Sequence, residues 1–276
     1  MAVEAASCNP ASSKAWLRLG DWCYSQSQAR IASLISEGNI RLTAEERTGL
    51  LGAQPMSESS GSFVDEFTES VVGNLEKLEA IDDPTEFKFD EHIRQLCGMI
   101  ERHSGKPAEQ RVSGLCVGIW KRILDLYGAA ASCYFNHMRL AEVNTVECPL
   151  KILRLLVRHG EIFEQTYREG FSGTSVGIWG LLIPQLFSRM CHGSAVIRDH
   201  IVSVVVQLSR ISPHSVVFPA LVGAIEGSAS QNDAIRRVIA DIESQSGCAI
   251  SETRRLVREL SRIGVLWEEL WIEQIQ

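Results

Sequence analysis

A chain of 276 residues has room for one long domain, two ordinary ones or a repeat solenoid. Its 45% hydrophobic and 22% charged residues argue against wholesale disorder. A formal net charge of −7 gives no global positive field to gather phosphates, which disfavours direct nucleic-acid binding, and no apolar run approaches the ~20 residues of a membrane-spanning helix.

Met1 to Ser13 is small and polar, without the basic start and apolar stretch of a secretory signal. Residues 1–13 are expected to be disordered, and an intracellular, reducing location follows. Eight cysteines without a C-x-x-C pair are expected to be mostly buried thiols rather than disulfide partners.

From Lys14 to Ile35 apolar residues recur at helical spacing, Trp16, Leu19, Cys23, Ile31, Leu34 and Ile35. Thr43 and Glu46 have capping-box spacing, so a short helix should start there. Gly52 to Ser62 is rich in turn formers and reads as a mobile loop. Helices over Phe63 to Leu78 and Glu91 to Ile100 are separated by Asp82-Asp83-Pro84, where proline disfavours α geometry in the residue before it. A second linker runs from Ser104 to Pro107.

Val112 to Val143 is apolar almost throughout, as one long helix or two stacked ones would be. Pro149 suits the first turn of a following helix, which should end near Gly170. Beyond a break at Gly170 to Ser175 come three short helices, Trp179 to Met190, Ala195 to Ile211 and His214 to Ile225. Pro213 fits the first position of the last and Pro219 falls inside it. From Ser251 onward Leu256, Leu260, Ile263, Trp267 and Leu270 form an apolar stripe opposite Arg254, Arg255, Arg258 and Arg262. That pattern meets no stop signal, so the chain is expected to break off inside an element.

Short helices joined by short connections must pack side by side. The expected fold is therefore all-α, a helical-repeat superhelix of the HEAT or tetratricopeptide kind, although no strict period is visible.

Motifs of chemistry are absent from the sequence. There is no phosphate loop, no G-x-G-x-x-G after a strand, no His-Arg-Asp catalytic loop and no Asp-Phe-Gly. Cys191, His192 and His200 lack a fourth metal ligand, and Glu268, Glu269 and Glu273 read as a solvated helix face. Lys121-Arg122 and Arg236-Arg237 are read as surface charge in preference to an anion site. No catalytic, cofactor or metal residue is assigned.

Trp179 to Gly223, WGLLIPQLFSRMCHGSAVIRDHIVSVVVQLSRISPHSVVFPALVG, resembles the end of the FAT domain of phosphatidylinositol 3-kinase-related protein kinases. Trp179, Ile183, Pro184, Gln185, Arg198, Pro213 and Pro219 occupy the family's signature positions. AWLRLGDWCY (15–24), GIWKRILDLYGAAASCYF (118–135) and LKILRLLVRHG (150–160) agree more loosely. The wording IPQLFSR, VVFPALVG and VLWEELW is most similar to the SMG branch, which acts in nonsense-mediated mRNA decay. Trp267 and Trp271 resemble the opening of the rapamycin-binding-like helix bundle that precedes the kinase lobes.

The resemblance implies four segments. They are a disordered start (1–13), an N-terminal helical part with mobile loops (14–110), FAT-type repeats (111–250) and the truncated start of the helix bundle (251–276). It also implies a non-catalytic scaffold segment of a serine/threonine kinase whose missing kinase domain holds ATP and magnesium. The implied partners are the kinase lobes of the same polypeptide, regulatory subunits, and the up-frameshift RNA helicase as substrate of the parent at Ser-Gln and Thr-Gln sites. Neither nucleic acid nor membrane is an implied partner, and the implied location is cytoplasmic, with the nucleus open. A free-standing helical-repeat adaptor that binds protein partners is the alternative that composition equally permits.

Overall fold

The computed structural model describes residues 9–51, 58–80, 89–104, 110–141, 146–226, 229–264, 271 and 274. Among these residues the chain is all-α, without a strand. Two compact units divide at Thr174 and Ser175.

The first unit opens with α1 (Ser13–Glu37), α2 (Ala44–Leu51) and α3 (Glu58–Ala80), and continues with α4 (Phe89–Ser104) and α5 (Gln110–Ile123). It closes with α6 (Asp125–Leu140), α7 (Glu147–His159) and α8 (Glu164–Ser172). α1 stops where Gly38 takes φ 66°, its N–H meeting the carbonyls of Leu34 and Ile35. A left-handed residue there satisfies orphan carbonyls at no side-chain cost. The capping box starts α2: the Thr43 N–H donates to Glu46 at 2.8 Å and the Glu46 N–H donates to the Thr43 hydroxyl at 3.2 Å.

Side-chain pairings give the helix directions. His137 meets Ser13, Tyr134 meets Asp21 and Asp125 meets Arg30, so α1 and α6 run antiparallel. α7 returns along α6, with Cys148 at the Tyr134 carbonyl and His159 on Tyr127. α8 runs parallel to α6: Phe163 lies against Gly128, while Tyr167 and Phe171 lie against Phe135. α6 thus packs against an antiparallel α7 and a parallel α8, the side-by-side stacking of helices found in α-repeat folds.

The second unit contains a 3-10 helix (Val176–Leu182), then α9 (Ile183–Arg189), α10 (Ala195–Ile211), α11 (Pro213–Glu226) and α12 (Ala229–Gly264). Its interior is aliphatic around the buried Trp179, with Leu186, Ile201, Val205, Val217, Ile235 and Val238 all buried.

Several boundaries differ from the sequence expectation. Glu58 to Ser62 belongs to α3, because Ser60 is buried and Phe63 and Phe67 carry the same face into the core. Residues 52–57 of the expected mobile loop, the Asp82-Asp83-Pro84 break and residues 105–107 of the Ser104 to Pro107 linker lie outside the described residues, as do 1–8 of the N-terminus. Residues 9–12 lead into α1, with the Trp16 indole donating to the Pro10 carbonyl at 2.8 Å.

The apolar stretch from Val112 is two helices, divided at Leu124 without glycine or proline. The helix begun near Pro149 ends at His159 rather than Gly170, because the chain turns through Gly160 and brings Phe163 onto Gly128. Position 250, expected as a domain edge, lies inside α12.

Candidate functional site

The signature residues sit in different environments. Trp179 is 1% exposed and Ile183 is buried, whereas Pro184 and Gln185 are exposed on α9. Arg198, on the first turn of α10, donates to the carbonyls of His192 (2.5 Å) and Gly193 (2.8 Å). It thereby fixes the turn between α9 and α10. Pro213 begins α11 and Pro219 lies inside it. Trp271 is 62% exposed, and Trp267 lies outside the described residues.

Of the expected C-terminal stripe, the side chains of Ile263, Trp267 and Leu270 lie outside the described residues. Leu256 and Leu260 are 54% and 50% exposed, while Ile250 and Val257, seven positions apart, face inward. Helical periodicity gives the stripe but not which side meets a neighbour.

The more informative assembly lies in the first unit, where three of the resembling phrases meet. The Asp21 carboxylate accepts from the Tyr134 hydroxyl at 2.9 Å and from Lys151 at 2.8 Å, and Lys151 also pairs with Glu147 at 2.7 Å. One turn further along α1, Tyr24 lies 5.5 Å from Tyr127, and Tyr127 stacks on His159 at 4.4 Å and 17°. Asp21 and Tyr24 come from 15–24, Tyr127 and Tyr134 from 118–135, and Lys151 and His159 from 150–160. One seam thus joins α1, α6 and α7.

Burial governs the chemistry of this seam. It pushes His159 down to about 3, with the Arg158 charge adding to the effect, so His159 is neutral. Burial and the hydrogen bond to Asp21 push Tyr134 up, and burial raises Cys133 and Cys148 to about 12. Nothing here is prepared as a nucleophile, because a thiol so raised stays protonated. The seam is built to hold helices together.

Lys121-Arg122 divides its work in a way the sequence does not disclose. Arg122 donates to Glu46 at 2.7 and 2.9 Å, locking α5 onto the capping box of α2. Burial raises the Glu46 carboxyl pKa, but the Arg122 hydrogen bonds and charge and the Thr43 donors outweigh it, leaving the group below its ordinary value. Arg237 pairs with Asp199, and Arg236 with Asp233.

Cys191 is exposed, and the Nδ1 of buried His192 accepts from the Ser194 N–H at 3.0 Å. Among the described residues no group of three or more His, Cys, Asp or Glu is placed to hold a metal, and no helix is long and apolar enough to cross a membrane.

Comparison with known proteins gives relatives of one kind. The chain is 24% identical over 312 residues to the serine/threonine-protein kinase Smg1 of Drosophila melanogaster, covering 96% of this chain and 9% of the relative. It is 22% identical over 365 residues to SMG1 of Danio rerio, covering 97% and 10%. It is 26% identical over 155 residues to the kinase TOR of Oryza sativa subsp. japonica, covering 54% and 6%. No protein-family model matches the chain. The chain therefore spans about a tenth of the length of the Smg1 relatives.

Proposed function

From a chain homologous over nearly its whole length to one segment of phosphatidylinositol 3-kinase-related kinases, a FAT-like segment most like Smg1, we propose that this segment is a non-catalytic scaffold of a serine/threonine kinase. Its stacked helices hold the catalytic lobes of the same polypeptide in register, and their packing biases the lobes between states. The observation that carries this reading is the end-to-end similarity to Smg1 kinases in a helical body whose sequence contains no phosphate-binding or kinase motif.

In this reading the parent enzyme binds ATP and magnesium in its kinase domain and acts in nonsense-mediated mRNA decay. It phosphorylates Ser-Gln and Thr-Gln sites of the up-frameshift RNA helicase with regulatory subunits bound, in the cytoplasm and nucleus.

The transcript tests it. Beyond Gln276 the reading frame should encode a kinase domain with a metal-holding aspartate and asparagine, and a stop codon at that point would favour an adaptor instead. The purified 276-residue chain, given ATP and a Ser-Gln peptide, should show no turnover above background.

A further inference from the structure

α12 runs without a break over 36 residues, Ala229–Gly264, yet Glu243 and Arg254 form an ion pair at 3.7 Å. In a straight helix, eleven residues of rise separate their backbones by ~16 Å. That is further than an extended glutamate and an extended arginine span together along a helix surface, so α12 is bent between these positions. Sharp bends in helices have local causes, and glycine beside serine is one of them. Between Glu243 and Arg254 the sequence runs Ser244-Gln245-Ser246-Gly247, with glycine and two serines among weak helix formers. A Cβ at Gly247 would have no atom within 4 Å, so no close packing against this glycine demands its presence.

The two arms on either side are anchored differently. On the N-terminal arm Ala234, Ile235, Val238 and Ile242 are buried, Arg237 pairs with Asp199, and Asp241 accepts from Arg210 at 2.8 Å and Ser209 at 3.2 Å. On the C-terminal arm Ile250 and Val257 are buried, but Leu256 and Leu260 are half-exposed. The Glu243–Arg254 pair that bridges the arms is about half-exposed at both ends, a class of ion pair with little holding power.

We infer that Ser244 to Gly247 is a hinge, about which the arm from Ile250 to Gly264 turns on the fixed arm from Ala229 to Glu243. The arm carries Leu256 and Leu260 with it, so the angle of the hinge sets where this apolar edge is presented.

Fluorophores attached to ketone-bearing unnatural residues at positions 233 and 258 of the full 276-residue chain test the hinge by single-molecule energy transfer. A straight helix places these positions ~38 Å apart. The wild-type distribution should lie well below that value and be broad. The double substitution Ser246→Ala and Gly247→Ala should move it toward ~38 Å, because alanine favours the continuous helix. A wild-type peak at ~38 Å would show no bend, and a distribution unchanged in mean and width by the alanine pair would show a bend fixed by packing; either overturns the hinge. Should the alanine pair lose helicity by circular dichroism, Gly247→Ala alone decides, and an unchanged distribution there also overturns it.

Discussion

The two units bury their interiors with different chemistry. The described residues of the first bring large rings inside: Phe67, Trp120, Tyr127, Tyr134, Phe135 and Tyr167 are all buried. Charged and polar side chains there also bridge helices far apart in sequence, as Asp21, Glu46 and His137 do. In the second unit the buried aromatic residues Trp179 and Phe187 sit among Ile, Leu, Val, Ala and Met. An aliphatic interior selects partners by volume and tolerates rearrangement, while hydrogen-bonded and stacked pairs accept one register only. The first unit should therefore respond to protons and single polar changes, and the second chiefly to lost volume.

The largest expected effect lies in acid. His159 has its ordinary value of 6.5 lowered to about 3 in the folded state. The neutral form is the one that fits, so the contribution is complete above pH 6.5 and is lost as pH falls from 6.5 toward about 3. At 1.36 kcal/mol per unit this is up to ~5 kcal/mol. His159→Phe, which keeps a ring on Tyr127, should flatten that part of the stability curve in urea unfolding measured at pH 7 and pH 4. If the acid loss were the same in the variant, the seam would not be the acid-sensitive element.

Trp179→Ala removes the largest buried side chain among the described residues of the second unit and should cost about 3–5 kcal/mol. Amide exchange should quicken in α10 and α11, and α6 exchanging equally faster would undo the separation of the units. Glu46→Gln should cost about 2 kcal/mol, since it leaves the half-buried Arg122 without its anion. Because the Glu46 carboxyl is held below its ordinary value, the lost contribution is one present at neutral pH and removed as pH falls through the folded pKa. Wild type and variant should converge in acid. Smallest is Thr43→Ala, about 1 kcal/mol for the cap alone, read from the shift in unfolding midpoint.

Local rules made much of this architecture legible. The stripe from Trp16 to Ile35, the Thr43 and Glu46 box, and the Ala195 to Ile211 helix each correspond to an observed element, because each depends on neighbours within a few positions. The break at Gly160 and the helical start at Glu58 depend on distant surfaces instead. Phe163 needs Gly128, and Gly170 needs to be glycine because a Cβ there would stand 2.3 Å from the Phe135 ring. The resembling phrases fall on the three helices of the seam, but they do not single out Asp21, Tyr134, Lys151 or His159 as the residues that join them. The pairings of Asp21 with Tyr134 and Lys151 span more than a hundred positions, His159 reaches back to Tyr127, and no periodicity encodes either. Arg122 was hidden for the same reason, 76 residues from Glu46.

The antiparallel match of α1 with α6 also bears on how the protein is made. Ser13 and His137 are 124 positions apart, and Arg30 and Asp125 are 95 apart. At ~5–20 residues per second the ribosome releases the first helix many seconds before its mate exists. Through that interval the apolar side of Leu19, Cys23 and Ile31 waits for cover. A nascent chain halted before residue 125 should therefore recruit a holding chaperone, and one halted beyond residue 172 should let it go.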